Sequence, residues 1–159
     1  MKRAGTASVA LAVAVLAVAV AGCGGGGDGR LSKSEYEQKL KAEGKELKTA
    51  FTSTDLRSSG DVDTLARRIT KLQNELDASA TDIEELQPPK DAEAVNAKVA
   101  DALHKAADKF GELKGALKAK DEQRLERLSS DIDSILEQGR AATEDLKAKG
   151  YDIGALGQD

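Results

Sequence analysis

From Leu31 to Leu146 apolar residues recur in steps of three and four, the spacing that puts one face of an α-helix against a core. The first such segment, Ser32 to Thr54, carries Tyr36, Leu40, Leu47 and Phe51 on one face, with Gly44 filling the intermediate step. Ser32 and Glu35 have the spacing of a capping box. "TSTDLRSSGD" then reads as a loop. The second segment, Asp61 to Leu86, is the clearest: Val62, Leu65, Ile69, Leu72, Leu76, Ser79, Ile83 and Leu86 form a heptad seam with one polar interruption, Ser79. Pro88 disfavours helix at Gln87 and ends it.

A third segment starts near Asp91, expected as its N-cap, with Val95, Val99, Leu103, Ala106, Phe110, Leu113 and Leu117 as its stripe. A fourth shows Leu125, Leu128, Ile132, Ile135, Gly139, Ala142 and Leu146. Gly150 suits a left-handed C′ position, with Tyr151 placed to touch Leu146 in a Schellman motif. Between these two segments "KAKDEQR" has no Gly or Pro, and the stripe stays in phase from Leu117 through Asp121 to Leu125. One long helix over residues 91–149, giving a three-helix arrangement, is therefore the alternative. The break is placed at Asp121, because five charges in seven residues suit a turn better than a core. The expected fold is all-α, an antiparallel up-down four-helix bundle over residues 31–151 with an irregular tail at 152–159.

Composition sharpens this picture. The 159 residues fit one domain, a third of them are charged, and there are two Phe, two Tyr and no Trp. Without residues 1–22 the chain keeps 22 basic side chains (24 less Lys2 and Arg3) against 28 acidic ones, a net charge of −6. A mildly acidic surface without a basic stripe argues against nucleic acid and against electrostatic binding to anionic lipid. The single cysteine, Cys23, allows no intrachain disulfide.

The first thirty residues have a different character. Lys2 and Arg3 precede an uncharged apolar run, "ASVALAVAVLAVAVAG", which ends in small residues. An uncleaved membrane helix is the plain alternative, but the run is about half alanine and near the minimum spanning length of roughly 17–20 residues. Val20-Ala21-Gly22-Cys23 resembles the lipobox of bacterial lipoprotein precursors. That resemblance implies a signal peptide over residues 1–22, cleaved between Gly22 and Cys23. It also implies a diacylglyceryl group on the Cys23 sulfur and acylation of the new N-terminus. Two acyl chains suffice for stable anchoring where one is marginal. The aspartate that retains such lipoproteins in the inner membrane of Gram-negative cells is replaced by Gly24. Residues 23–30, "CGGGGDGR", then form a glycine-rich tether spanning on the order of 16 Å. "LQPP" followed by two helices is similar to small helical lipoproteins of unknown function, a likeness that adds no functional residues.

The helical body offers little chemistry. His104 is the only histidine, flanked by Asp101 and Asp108 on one helix face. A di-iron bundle needs two Glu-x-x-His motifs and two further inward glutamates, which are absent. The chain has no Gly-x-Ser-x-Gly elbow and no Cys-x-x-Cys-His haem site; Ser129 and Ser130 have no base at a recognisable spacing. The glycine run lacks the lysine of a phosphate loop. His104, Asp108, Gly111 and Gly115 share a face that suits a partner helix, since small residues four apart let a backbone approach. The expectation is a non-enzymatic lipoprotein on the extracytoplasmic side of the cell membrane. It needs no cofactor beyond its lipid, and it binds an envelope protein or ligand. The alternative is a small-molecule-binding or sensory bundle, expected to show a cavity lined by Ser79 and Gly139.

Overall fold

Four helices form where the periodicity places them: α1 (Lys33–Ser53), α2 (Val62–Glu84), α3 (Glu93–Ala119) and α4 (Glu122–Ala148). The computed structural model describes residues 29–54, 56, 60–154 and 156. The leader, the lipobox, Gly22, Cys23 and most of the tether lie outside the described residues. No described helix is long and apolar enough to cross a membrane.

The helix ends explain the boundaries. Ser32 and Glu35 make both halves of the capping box: the Glu35 backbone N–H donates to Ser32 Oγ (3.3 Å), and the Ser32 N–H donates to Glu35 Oε2 (2.9 Å). The Ser32 hydroxyl also donates to Glu35, and these bonds hold its carboxyl below the usual range. Asp61 caps α2 by accepting from the Thr64 N–H (2.6 Å). The α3 start differs from expectation. Its N-cap is Ala92, held by a backbone bond to the Pro89 carbonyl (2.9 Å), and Asp91 instead accepts from the Tyr151 hydroxyl (2.7 Å).

The single long helix is ruled out at Lys120, which takes the left-handed conformation (φ 56°, ψ 36°). Its N–H donates to the Leu117 carbonyl and that of Asp121 to Ala116, a Schellman turn built without glycine. Asp121 then caps α4 by accepting from the Arg124 N–H (3.0 Å). The α4 end is the expected Schellman motif, with Gly150 at φ 80° and the Tyr151 N–H donating to the Leu146 carbonyl.

Successive helices run antiparallel. α3 packs closely on both α2 and α4, and α1 packs on α2. The core is made by Tyr36, Leu40, Leu72, Leu76, Ile83, Phe110, Ile132 and Leu146, with the alanines of α3 allowing close approach. Ser79, the interruption of the heptad seam, is buried facing α1, where its hydroxyl meets the carboxyl of Glu43. Inside the base of the bundle the Tyr36 hydroxyl donates to Asn96 Oδ1 (2.9 Å), and Asn96 Nδ2 donates to the Ile83 carbonyl (2.8 Å).

The fourth side of the bundle is not closed by helices: no Cα of α1 lies within 8 Å of one in α4. The segment after Gly150 fills part of that gap. Its described residues, 151–154 and 156, form no helix or strand, and Ile153 and Leu156 are buried. Tyr151 meets Tyr36 edge to face (5.6 Å between ring centres), and Asp152 pairs with Lys41. Arg30, placed in the tether by its sequence, is held against the α2–α3 turn. Its guanidinium donates to the Pro88 carbonyl and pairs with Glu93, while the Leu31 N–H donates to Gln87.

Candidate functional site

The α1/α4 gap runs parallel to the bundle axis, and the C-terminal segment climbs it only as far as Gly44. There the fit is tight: a Cβ on Gly44 would lie 2.8 Å from Leu156 Cγ and 3.0 Å from its backbone nitrogen. Above Leu156 the gap continues as an open cleft of about 350 Å³. Leu47 and Phe51 of α1 form one wall, and Ile135, Leu136 and Gly139 of α4 form the other. Val99, Ala102 and Leu103 of α3 make the floor. Thr52, Thr143, Lys48 and Arg140 supply the polar atoms of the lining. The Thr143 hydroxyl is already committed to the Arg140 carbonyl (2.8 Å), and Arg140 pairs with Glu137 (3.1 Å).

The cleft has a physical origin in the stripes. Phe51, Leu103, Ile135 and Gly139 all lie on the apolar faces that the sequence aims at a common core. Because α1 diverges from α4, these positions face a space instead of one another. Phe51 is left 38% exposed, the one large exposed hydrophobic side chain among the described residues. The volume lies at the low end for small-molecule sites, and the mostly apolar lining with a few polar groups is their usual character. Gly139 lines the cleft, as the ligand-binding alternative expects; Ser79 does not and belongs to the α1–α2 contact.

The residues singled out for chemistry fall elsewhere. His104 is half-buried at the α2–α3 seam, with Nδ1 2.9 Å from Asp77 Oδ1 and Nε2 3.5 Å from Glu84 Oε2. Its partners thus come from α2 rather than from Asp101 and Asp108 on its own helix. Asp101 pairs with Lys105. The sequence signal for this arrangement is that Asp77 and Glu84 stand one heptad apart on α2. Among the described residues no group of three or more His, Cys, Asp or Glu is arranged to hold a metal ion.

Of the suggested partner face, Gly111 lies under the Gln73 side chain of α2, which a Cβ would meet at 2.9 Å. His104 and Gly111 therefore serve packing within the bundle, while Asp108 and Gly115 are exposed and Gly115 has open space around it. The Ser129 hydroxyl bonds its own helix at the Leu125 carbonyl, and Ser130 lies by a surface network of Lys109, Glu112, Arg124 and Asp131.

Two tyrosines anchor the closed end of the gap. Burial pushes the Tyr36 hydroxyl well above its usual range. Burial and the hydrogen bond to Asp91 push Tyr151 up to about 12. Both are therefore neutral hydrogen-bond donors at physiological pH, and Lys33 lies over the Tyr151 ring (4.8 Å). This end is fully partnered and fixes the C-terminal segment in place. The open end leaves apolar side chains of three helices uncovered, Phe51 among them. No protein-family model, curated protein or solved structure matches this chain.

Proposed function

We propose that the chain is a lipid-anchored lipoprotein on the extracytoplasmic side of the cell membrane, and that its helical body is a binding module without catalytic chemistry. The α1/α4 cleft is its binding site. The observation that carries this reading is the cleft itself, where the apolar stripes of three helices stay unfilled and leave Phe51 exposed. Burying apolar surface there gains roughly 25 cal/mol per Å². The lining offers apolar contact and cationic rims rather than a nucleophile beside a base, which favours binding over turnover.

The anchoring half of the proposal is supported by the resemblance of Val20-Ala21-Gly22-Cys23 to a lipobox. A glycine-rich tether would hold the body near the membrane surface while letting it reorient. The occupant is an envelope protein presenting an apolar side chain, or a small molecule. The concave shape of the cleft favours the small molecule.

Each half has its own test. Cys23→Ser is expected to abolish acyl labelling in cells and to leave the precursor uncleaved; normal processing of that variant contradicts the anchor. For the cleft, a photo-crosslinking phenylalanine analogue at Phe51 is expected to give a light-dependent adduct in intact cells. The same analogue at exposed Asp133, outside the cleft, should give none. Equal labelling from both positions, or none from Phe51, counts against the site.

A further inference from the structure

We infer that the upper half of α1, residues 45–53, is a hinged wall of the cleft, seated on α2 while the Glu43 carboxyl is neutral and released to swing towards α4 once it ionises. The device regulates the proposed binding site and rests on that reading for its purpose, though not for its test. Three observations support it.

The first is how α1 is fastened. Up to Gly44 it is tied to the body on several sides. The Tyr36 hydroxyl donates to Asn96 of α3 (2.9 Å), and the Asp152 N–H donates to the Glu37 carboxylate (3.0 Å). Lys41 pairs with Asp152, and Leu156 lies against Gly44. Beyond Gly44 these ties stop. Among the described residues, no hydrogen bond or ion pair joins residues 45–53 to another element, and the Thr49, Thr52 and Ser53 hydroxyls all bond carbonyls of their own helix. A stretch held by so few contacts is the kind that opens first. The change from fastened to unfastened falls at the one glycine of α1, where helix propensity is weakest.

The second is space on both flanks. Towards α4 lies the cleft of about 350 Å³. Towards α2 lies a second hollow of about 470 Å³, lined by Lys45, Glu46, Thr49 and Ser53 of α1 and by Lys71 and Glu75 of α2. Leu47 and Ala50 are the buried residues of the stretch.

The third is Glu43, which stands at the hinge. Its Oε2 is buried and has no hydrogen-bond partner. The groups around it are the Ser79 hydroxyl and the Asp82 carboxylate on α2, with Glu46 and Lys39 on α1. Burial, reinforced by two acids against one cation, holds the carboxyl above its ordinary value of 4.5, with the Ser79 hydroxyl opposing. Neutral, it tolerates the buried α1–α2 contact. Ionised, it needs water, which α1 admits by lifting off α2, and the cleft is the space into which it lifts.

The test measures spin–spin distances by double electron–electron resonance in the full chain, held in phosphatidylcholine nanodiscs. Labels are attached through 4-acetylphenylalanine, which leaves Cys23 untouched. One pair, at exposed Thr49 and Gln138, spans the cleft; a second, at exposed Gln38 and Asp145, spans α1 and α4 below Gly44. As pH rises from about 4 to about 7, the upper distance is expected to shorten and its distribution to broaden, while the lower distance stays fixed. Glu43→Gln is expected to hold the upper distance at its acid value throughout. Asp82→Asn keeps Glu43 and is expected to shift the midpoint to lower pH; it carries the test if Glu43→Gln does not fold. A pH-independent upper distance overturns the inference, the carboxyl then reaching water by its side chain alone. So does a response that survives in Glu43→Gln, an unchanged midpoint in Asp82→Asn, or equal movement of both pairs. None of these outcomes bears on photo-crosslinking from Phe51, whose loss would strike the binding site and leave the hinge.

Discussion

Replacing Gly44 by alanine tests how the C-terminal segment closes the lower part of the α1/α4 gap. In an unobstructed helix interior, Gly→Ala stabilises by about 1 kcal/mol through helix propensity. Here the added Cβ would lie 2.8 Å from Leu156 Cγ and 3.0 Å from the Leu156 nitrogen, and the second of these is backbone that cannot swing aside. Leu156 must move outward. It is 8% exposed in place, and losing the burial of a leucine side chain costs about 1.5–3 kcal/mol. The net expectation is a destabilisation of about 1 kcal/mol, a fall in Tm of roughly 3–6 °C for a body of this size. Deleting residues 156–159 removes the obstacle, and in that background the same substitution should stabilise by about 1 kcal/mol. The sign reversal corresponds to a coupling of about 2 kcal/mol in a double-mutant cycle. Urea unfolding followed by circular dichroism measures all four proteins. Stabilisation by Gly44→Ala in both backgrounds, or additivity within error, would refute the docking of Leu156 on α1.

Three further outcomes follow from other parts of the fold. Tyr36→Phe leaves buried Asn96 Oδ1 without its donor and should lower the unfolding free energy by about 1–3 kcal/mol; a neutral effect contradicts the buried network. Burial, with the charges of Asp82 and Glu46 adding to it, holds the Glu43 carboxyl above its ordinary value of 4.5, against the opposing hydroxyl of Ser79. The raised folded value means that Glu43 favours folding below pH 4.5 and loses that contribution as pH rises through the folded value. Glu43→Gln should therefore raise Tm at pH 7, with the gain shrinking in thermal scans taken towards pH 4; a lower Tm at pH 7 overturns the assignment. Lys120→Gly relieves a left-handed lysine and should stabilise by about 1 kcal/mol in the same unfolding assay, whereas Lys120→Val should destabilise.

The sequence carries the helices and most of their ends because those are local matters. Ser32 with Glu35, Asp61 ahead of Thr64 and Gly150 at C′ each act within one turn, so spacing reveals them. Charge density alone places the α3–α4 break, since Lys120 is a residue that propensity would not choose for a left-handed turn. Asp91 misleads because it has the side chain of an N-cap but spends it on the Tyr151 hydroxyl, sixty residues away.

The cleft is illegible for a related reason. Periodicity says which face of a helix is apolar, not how far apart two such faces settle. Phe51, Leu103 and Ile135 read as ordinary core positions, and only the divergence of α1 from α4 turns them into walls and floor. Gly44 and Leu156 show the same limit: neither suggests the other, yet their contact decides where the gap is filled and where it stays open. His104 could be matched from its sequence only to acids on its own helix, while Asp77 and Glu84 reach it from α2.

The proposed binding function requires that the upper α1/α4 gap can be occupied. Methyl-resolved NMR of the chain titrated with dodecanol, a neutral apolar probe, measures that most directly. Saturable, concerted shifts of the Leu103, Ile135 and Leu136 methyls are predicted, with those of Leu40, Ile83 and Leu146 unchanged. Shifts confined to the closed core, or no saturable shift in the three cleft residues, would contradict it.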